Sequence, residues 1–346
     1  MADISIGVPI HNEINFLPKL LESLYRIYVE FFPRIEIMLI DNYSTDGSRE
    51  YLCNLDKNKR FKDFRVILNE KNEGFNFSCD HLIASARNEY LWIIGAQDDI
   101  YLKGISTLFN LLDKDNLEYI YVVCNARIRD EITGEIVNES LWGNVSSADF
   151  FSLISFFKTL GGPCQAVSCN IFKTNLVKTT LHTDLRSHYW GYYERICDML
   201  IATEENIRIA FISEPLIEIL IEKDNVALSG TSLFGSVPRR EYGPFYTSLE
   251  LAEIANSKFQ SKTIRKSFTV FRDKLAIPRS LTIAKSRGIN LNLKLILRLI
   301  KAYKNSITFW LIGIPIIFLP GRLSLLALKF KPMVHILRKM FNLKTF

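Results

Sequence analysis

Cysteine is scarce here and poorly spaced for either of its structural uses. The six thiols, at positions 53, 79, 124, 164, 169 and 197, form no CxxC pair and show no zinc-type spacing with the five histidines. This argues against a disulfide framework and a structural zinc site, and the expectation is reduced thiols in a cytosolic protein. The opening MADISIGVPI already reads as a strand, with no basic n-region or cleavage site, so no secretory signal is expected. No internal repeat and no low-complexity tract occurs, which sets aside repeat and fibrous architectures. Nor is there an uninterrupted apolar run of the about 20 residues that a spanning helix requires. The nearest, ITFWLIGIPIIFLP at 307–320, is broken by Gly313 and Pro315 and followed by Gly321-Arg322. Finally, no acidic residue follows Asp273, although 14 Lys or Arg do.

That last absence divides the chain by charge. The net charge of +6 over 346 residues hides a body, residues 1–273, with 29 basic and 37 acidic residues, a net of −8. An acidic body with a basic, apolar tail points to an anionic surface as partner, either membrane or nucleic acid. Lys301 and Lys304 precede the apolar segment, and Lys329, Lys331, Arg338 and Lys339 follow it. The pattern fits an in-plane or re-entrant membrane anchor better than a simple span. A hydrophobic share of 48% suffices for a full-size core and argues against disorder.

Strands and helices alternate over the first 125 residues. ISIGVPI (4–10), IEIMLID (35–41), FRVILN (64–69), EYLWIIG (89–95) and EYIYVVCNA (118–126) read as strands. Between them, segments 15–31, 76–88 and 103–114 have helical apolar spacing, and STDG starts a further helix through SREYLCNLDK. Continuous apolar strands joined by helices predict an α/β fold with a mostly parallel sheet covered on both faces. Beyond 126 the expected order is a hairpin at DEITGEI, a helix over 146–161 ended by Gly161 and Gly162, and a strand and turn in AVSCNIFKTNLV. A helix over 188–203, one or two strands over 208–221, a Gly/Ser/Pro-rich loop at 225–245 and basic helices over 247–305 complete it. The predicted division is 1–245 (halves 1–125 and 126–245) and a basic helical region 246–346.

Carboxylates follow two of the apolar strands directly: Asp41 after the second, Asp98 and Asp99 after the fourth. In an open α/β sheet the carboxyl ends of parallel strands line the ligand crevice. Carboxylates gathered there repel one another unless a cation or hydrogen-bond donors hold them. Taken with IGVPIHNE after strand one, DNYSTDG after strand two and NEGFNFS after strand three, QDD after strand four makes four motifs in a set order. Together, over residues 3–220, they resemble family 2 glycosyltransferases of the GT-A fold. WIIGAQDD with the GG-P-C-Q-AVSCNIFK region is most similar to bacterial O-antigen sugar transferases of the abequosyltransferase type.

The resemblance implies a site. Pro9, His11 and Glu13 would flank the base and ribose of a nucleotide sugar, and Asp41 would accept the N3–H of uracil or thymine. Asn72 and Gly74 supply the NxG of the third loop, where Gly permits close backbone approach. Asp98 and Asp99 would hold Mg²⁺ or Mn²⁺ on the diphosphate, one as ligand, the other on the ribose or a water of the cation's shell. Ala96 and Gln97 stand where a fuller DxDD would carry an earlier Asp. Ser44 and Asp46 are better read as caps of the following helix. The family's Ala-Arg-Asn segment is displaced, with Arg87 lying later. For the base that deprotonates the acceptor hydroxyl, Tyr-Tyr-Glu-Arg-Ile-Cys-Asp offers Glu194, with Asp198 one turn away and Arg195 replacing the Asp of the usual Glu-Asp pair. Trp190 and Tyr192 are candidates to stack on the acceptor sugar.

No QxxRW follows, so single-sugar rather than processive transfer is expected. The acceptor implied is a lipid-linked oligosaccharide at an anionic membrane, placing the protein on the cytoplasmic face, with no nucleic-acid partner. A nucleotidyltransferase would show a Gly-rich basic loop after strand one, and IHNEINF has none. An inactive relative that keeps the fold stays open, given Arg195 and the incomplete acidic motif.

Overall fold

The computed structural model describes residues 2–55, 64–114, 118–164, 166–185, 191–221, 243–267, 281, 291–304, 306 and 309–320. The chain divides into two compact units, Met1–Val226 and Ala227–Phe346.

In the first unit, β1 (Ile4–Ile10), β2 (Ile35–Asp41), β3 (Arg65–Leu68) and β4 (Tyr90–Ile93) lie in the order β3-β2-β1-β4, all parallel. Their apolar runs follow from burial on both faces: every residue of β1 except Pro9 is buried, as are all four of β4. The connecting helices are α1 (Leu17–Phe31), α2 (Ser48–Cys53) and α3 (Phe75–Ser85). In α1, Leu17, Leu20, Leu21, Leu24 and Ile27 form one buried stripe. Each such side chain contributes roughly 2 kcal/mol to holding the helix on the sheet. The crossovers bring the carboxyl ends of β1–β4 to one edge, where the Asp-bearing loops emerge.

Beyond β4 the sheet is mixed. β9 (Asn170–Lys173) inserts between β4 and β6 (Tyr121–Asp130), antiparallel to both. β6 pairs in parallel with β10 (Ile209–Ile221), whose register shifts around Pro215. The short β5 (Asp99–Ile100), β7 (Ile136–Asn138) and β8 (Ala148–Phe150) pair antiparallel at the periphery. The α/β expectation holds, with parallel pairing in β3-β2-β1-β4 and between β6 and β10. The hairpin at DEITGEI forms, with the Asp130 carboxylate accepting from the backbone N–H groups of Ile132 and Thr133 at 3.1 and 2.6 Å.

Two segments differ from the sequence reading. Residues 148–150 form β8 against β10, and helix α5 (Leu153–Leu160) starts only after Ser152, whose hydroxyl accepts from Ser155 N. Pairing and that cap override helical spacing. The helix predicted to reach 88 stops at Ser85, and residues 86–88 run on toward β4. Also present are α4 (Leu102–Leu112), α6 (Thr174–Lys178) and α7 (Gly191–Ala202). All six cysteines are free thiols.

In the second unit, helices Gly243–Lys258 and Leu293–Tyr303 are joined by Arg298, which forks onto Glu253 at 2.9 and 2.7 Å. Leu295, Leu299, Ala302 and Tyr303 are buried, whereas Leu293 and Leu297 are exposed. A π-helical turn, Phe309–Gly313, and a short helix, Ile314–Phe318, follow, with Trp310, Leu311 and Phe318 exposed. Among the described residues no helix is long and apolar enough to cross a membrane. The predicted loop at 225–245 lies, up to 242, outside the described residues.

Candidate active site

The loops after β1, β2 and β3 are knitted together by short polar side chains. Ser44 Oγ accepts from Asn12 N at 2.9 Å, Ser48 Oγ from Glu13 N at 3.0 Å, and Asn12 Oδ1 from Thr45 N at 2.8 Å. Asp46 holds Ser48 N at the start of α2 and reaches across to Ile14 N, each at 2.9 Å. Gly47 is the N-cap of α2 and no side chain caps it, so neither expected cap forms: Asp46 braces the turn into the helix and Ser44 ties two strand ends together. Pro9 stays within β1, opposite Ile40.

An asparagine network continues this edge. Asn42 donates to Asn72 Oδ1 at 2.8 Å and accepts from Asn69 Nδ2 at 3.1 Å and Glu73 N at 3.0 Å. Asn72 also lies 3.1 Å from His11 Nε2 and accepts from Gly74 N at 2.9 Å. His11, Asn72 and Gly74 therefore lie together at this edge. Asn42 and Asn69 were not singled out from sequence, where each reads as ordinary turn chemistry.

Asp41 has no solvent exposure. Its carboxylate accepts from Arg49 Nη1 at 2.8 Å and from Ser44 N at 3.2 and 3.3 Å, and the same Arg49 nitrogen donates to the Asn69 carbonyl at 2.9 Å. The residue expected to read a base is enclosed and already matched by a guanidinium.

The two carboxylates after β4 part company. Asp98 is buried, and Ser168 Oγ donates to its Oδ2. Ser168 is fixed in turn by Gly95 N at 2.9 Å and by Trp92 Nε1, which donates to its carbonyl at 2.7 Å. A Cβ at position 95 would stand 3.0 Å from Asp98 Oδ2, so Gly95 makes room for the carboxylate. Burial pushes the Asp98 carboxyl up to about 7, with the Ser168 hydrogen bond opposing and the charge of Glu13 adding to the rise. Glu13 is raised too, chiefly by burial, against a hydrogen bond from Gln97 Nε2 at 3.4 Å and with Asp46 and Glu131 adding. Asp99 follows in β5, so its side chain leaves the opposite face. There Ser23 Oγ donates to it at 3.0 Å and Lys19 Nζ lies at 3.1 Å, both from α1.

These donors suit a hard divalent cation in one specific sense. Among the described residues no group of three or more His, Cys, Asp or Glu could hold a metal. Mg²⁺ and its like bind through one or two carboxylates with substrate phosphates and water supplying the rest. Asp98, with Glu13 beside it, fits that sparse requirement, since a cation would relieve two carboxylates whose charge burial disfavours.

Glu194 lies in the first turn of α7, half-buried, and Asp198 one turn on. That turn is anchored to α3 just beyond Gly74, because Asn76 Oδ1 accepts from Tyr192 N at 3.1 Å. A Cβ on Gly191 would meet the Leu185 carbonyl at 2.2 Å and Asn76 Nδ2 at 2.9 Å, so only glycine allows this approach. Arg195 is 2% exposed; it forks onto the Asp80 carboxylate of α3 and donates to the carbonyls of Thr180 and Thr183 at 2.6 and 3.1 Å. The residue replacing the Asp of the expected pair is therefore a packing clamp. Tyr192 is buried, its ring 6.1 Å from that of Phe172. Trp190 lies outside the described residues. Arg87 sits at the far end of the sheet, where its N–H donates to Glu36 at 3.1 Å. A cavity of about 410 Å³ lined by Ala86–Glu89, Lys173–Asn175 and Lys178 opens at that same amino end, away from the strand-end carboxylates.

Comparison with known proteins agrees with this arrangement. The family described as Glycosyl transferase family 2 matches residues 5–181. A 173-residue stretch is 24% identical to an uncharacterized glycosyltransferase of Rickettsia conorii, covering 50% of this chain and 27% of that protein. Another, of 119 residues, is 29% identical to glycosyltransferase GlyG of Streptococcus pneumoniae serotype 4, covering 34% of this chain and 37% of that one. The chain thus spans well under two thirds of the length of these relatives. Among solved structures, S. aureus TarS 1–349 has a TM-score of 0.57 at 14% identity, with 91% of this chain and 82% of that one covered. Mannosyltransferase PcManGT from Pyrobaculum calidifontis, solved with GDP-Man and Mn²⁺, gives 0.52 at 12% identity, with 92% and 89% covered. At such identities the likeness is one of fold, the GT-A arrangement. With that fold, and with the family pattern matched over more than half its length, the chain belongs to glycosyl transferase family 2.

Proposed function

We propose that the protein is an inverting transferase that moves a single sugar from a nucleoside diphosphate donor to a hydroxyl of a lipid-linked glycan, in surface polysaccharide synthesis of the O-antigen or capsule kind. The observation that carries the reading is the buried Asp98, beside Glu13 and Gln97 at the ends of the parallel strands, in a chain of this family. TarS has been solved with UDP-GlcNAc, and PcManGT with GDP-Man and Mn²⁺. Both support a nucleotide sugar as donor, and the second supports a divalent cation as its companion.

In this mechanism Asp98 and Glu13 are the residues that would hold Mg²⁺ or Mn²⁺. The cation, when bound, neutralises charge on the departing diphosphate. Gln97 and His11 orient the ribose side, and the Asn42–Asn69–Asn72 network keeps the loops preorganised. Glu194 takes the proton from the acceptor hydroxyl on the face opposite the leaving group, and Asp198 supports it from the next turn of α7. Residues 1–245 carry this chemistry, and 246–346 bring it to the membrane.

The test is isothermal titration of the purified chain with UDP, GDP and dTDP in Mn²⁺, followed by turnover of the matching sugar nucleotide. One diphosphate should bind in a metal-dependent way. Glu194→Gln should keep that affinity while lowering transfer about 10²-fold or more, as expected for loss of a general base. Unchanged transfer by Glu194→Gln would move the base elsewhere.

The tail supports membrane association through its charge and its exposed Leu293, Leu297, Trp310, Leu311 and Phe318. A chain ending near residue 300 should fail to sediment with anionic vesicles that retain the full-length protein, and salt should weaken that retention. A truncated chain that still sediments would remove the tail from this role.

A further inference from the structure

Tyr43 has the only aromatic ring among the described residues whose backbone lies in the left-handed region, with φ of 62°. Residues other than Gly, Asn and Asp seldom adopt that conformation, which costs about 1–2 kcal/mol. Glycine would make the turn at less cost, and strain of this kind concentrates at functional sites. Tyr43 is 46% exposed, at the carboxyl end of β2 and next to Asn42. On one side the Arg49 guanidinium carbon lies 5.8 Å from the ring centroid. Arg49 cannot drift, because the enclosed Asp41 carboxylate and the Asn69 carbonyl both hold it. A buried anion, a pinned guanidinium and a half-open aromatic face thus form a layered platform at the mouth of the strand ends. Every nucleobase has a π-face, so stacking on such a surface tolerates any base.

We propose that Tyr43 is the stacking surface for the nucleobase of the donor, and that Asp41 fixes Arg49 behind it instead of reading the base itself. This rests on the nucleotide-sugar reading above. The polar rim around Asn42 is then left to discriminate among bases.

Titration of the full chain with UDP, GDP, dTDP and inorganic pyrophosphate in Mn²⁺, for wild type, Tyr43→Phe and Tyr43→Gly, tests it. Tyr43→Phe should bind the preferred nucleotide within about 2-fold of wild type. Tyr43→Gly should bind it about 10-fold or more weakly, in line with loss of one base–aromatic stack. Its pyrophosphate affinity should be unchanged and its Tm no lower, because glycine accepts the backbone without strain. Wild-type nucleotide affinity in Tyr43→Gly would overturn the stacking role and leave the donor site standing. So would an equal loss for pyrophosphate, which has no base to stack. A wild-type protein that binds none of the three nucleotides would overturn both the stacking role and the donor-site reading.

Discussion

Asp98→Asn should leave a folded protein that has lost donor turnover by 10²-fold or more, on the order of 3 kcal/mol of transition-state stabilisation. Asparagine keeps the shape and can still accept from Ser168 Oγ, so the loop from Gly95 to Asp99 has no reason to move. What disappears is the negative charge, the property by which Asp98 would hold the proposed cation. The substitution should also stabilise the metal-free protein. Burial raises the Asp98 carboxyl to about 7, so between roughly pH 4 and 7 the folded chain binds a proton that the unfolded chain releases. The contribution of Asp98 to stability is complete below about pH 4 and is lost as pH rises through about 7. In EDTA, therefore, Asp98→Asn should melt above wild type at pH 8, with a smaller gap at pH 5. Thermal melts at the two pH values and Mn²⁺-dependent donor hydrolysis check both halves. Undiminished turnover by Asp98→Asn would sink the assignment.

The second large effect is structural. Asp80→Ala removes the carboxylate that neutralises Arg195, which is 2% exposed and has its other hydrogen bonds to backbone carbonyls. Breaking one side of such an enclosed pair costs about 3–5 kcal/mol, because the other charge stays buried without compensation. For a domain of this size that is a fall of roughly 10 °C in Tm. The paired replacement Asp80→Leu with Arg195→Met should recover much of the loss, since no charge is then stranded. A Tm within about 2 °C of wild type for Asp80→Ala would show that Arg195 finds another partner. Because the clamp joins α7 to α3, Asp80→Ala should also loosen Glu194 and depress transfer beyond what partial unfolding explains.

Much of the first unit was legible in the chain. The strands at 4–10 and 35–41 were bounded correctly because two-sided burial demands unbroken apolar runs. The stripe of α1 appeared at its helical spacing for the same reason. Less legible was 146–152, where the spacing suggested a helix and pairing with β10 made a strand. The insertion of β9 between β4 and β6 had no local signal at all, since strand order depends on partners far away in sequence.

The site divides in the same way. The acidic strand ends were visible because loops at the carboxyl ends of parallel strands must gather, while His11, Asn72 and Gly74 were named only by the family resemblance. The roles within that gathering were not. Asp98 and Asp99 are neighbours in the chain, yet Asp98 meets Ser168, 70 residues away, and Asp99 meets Ser23, 76 residues away. Asp41 reads as a ligand-facing carboxylate until Arg49 is seen closing over it. Arg195 reads as a departure from a catalytic pair until Asp80, 115 residues away, is found in its fork.

The sequence by itself determined the α/β class, because periodicity and turn residues act between close neighbours in the chain, and its four ordered motifs pointed to the family by resemblance. Only the tertiary structure decided which partner each carboxylate meets: Ser168 for Asp98, Ser23 and Lys19 for Asp99, and Arg49 for Asp41. Charge at such a site depends on burial and on partners that folding brings together.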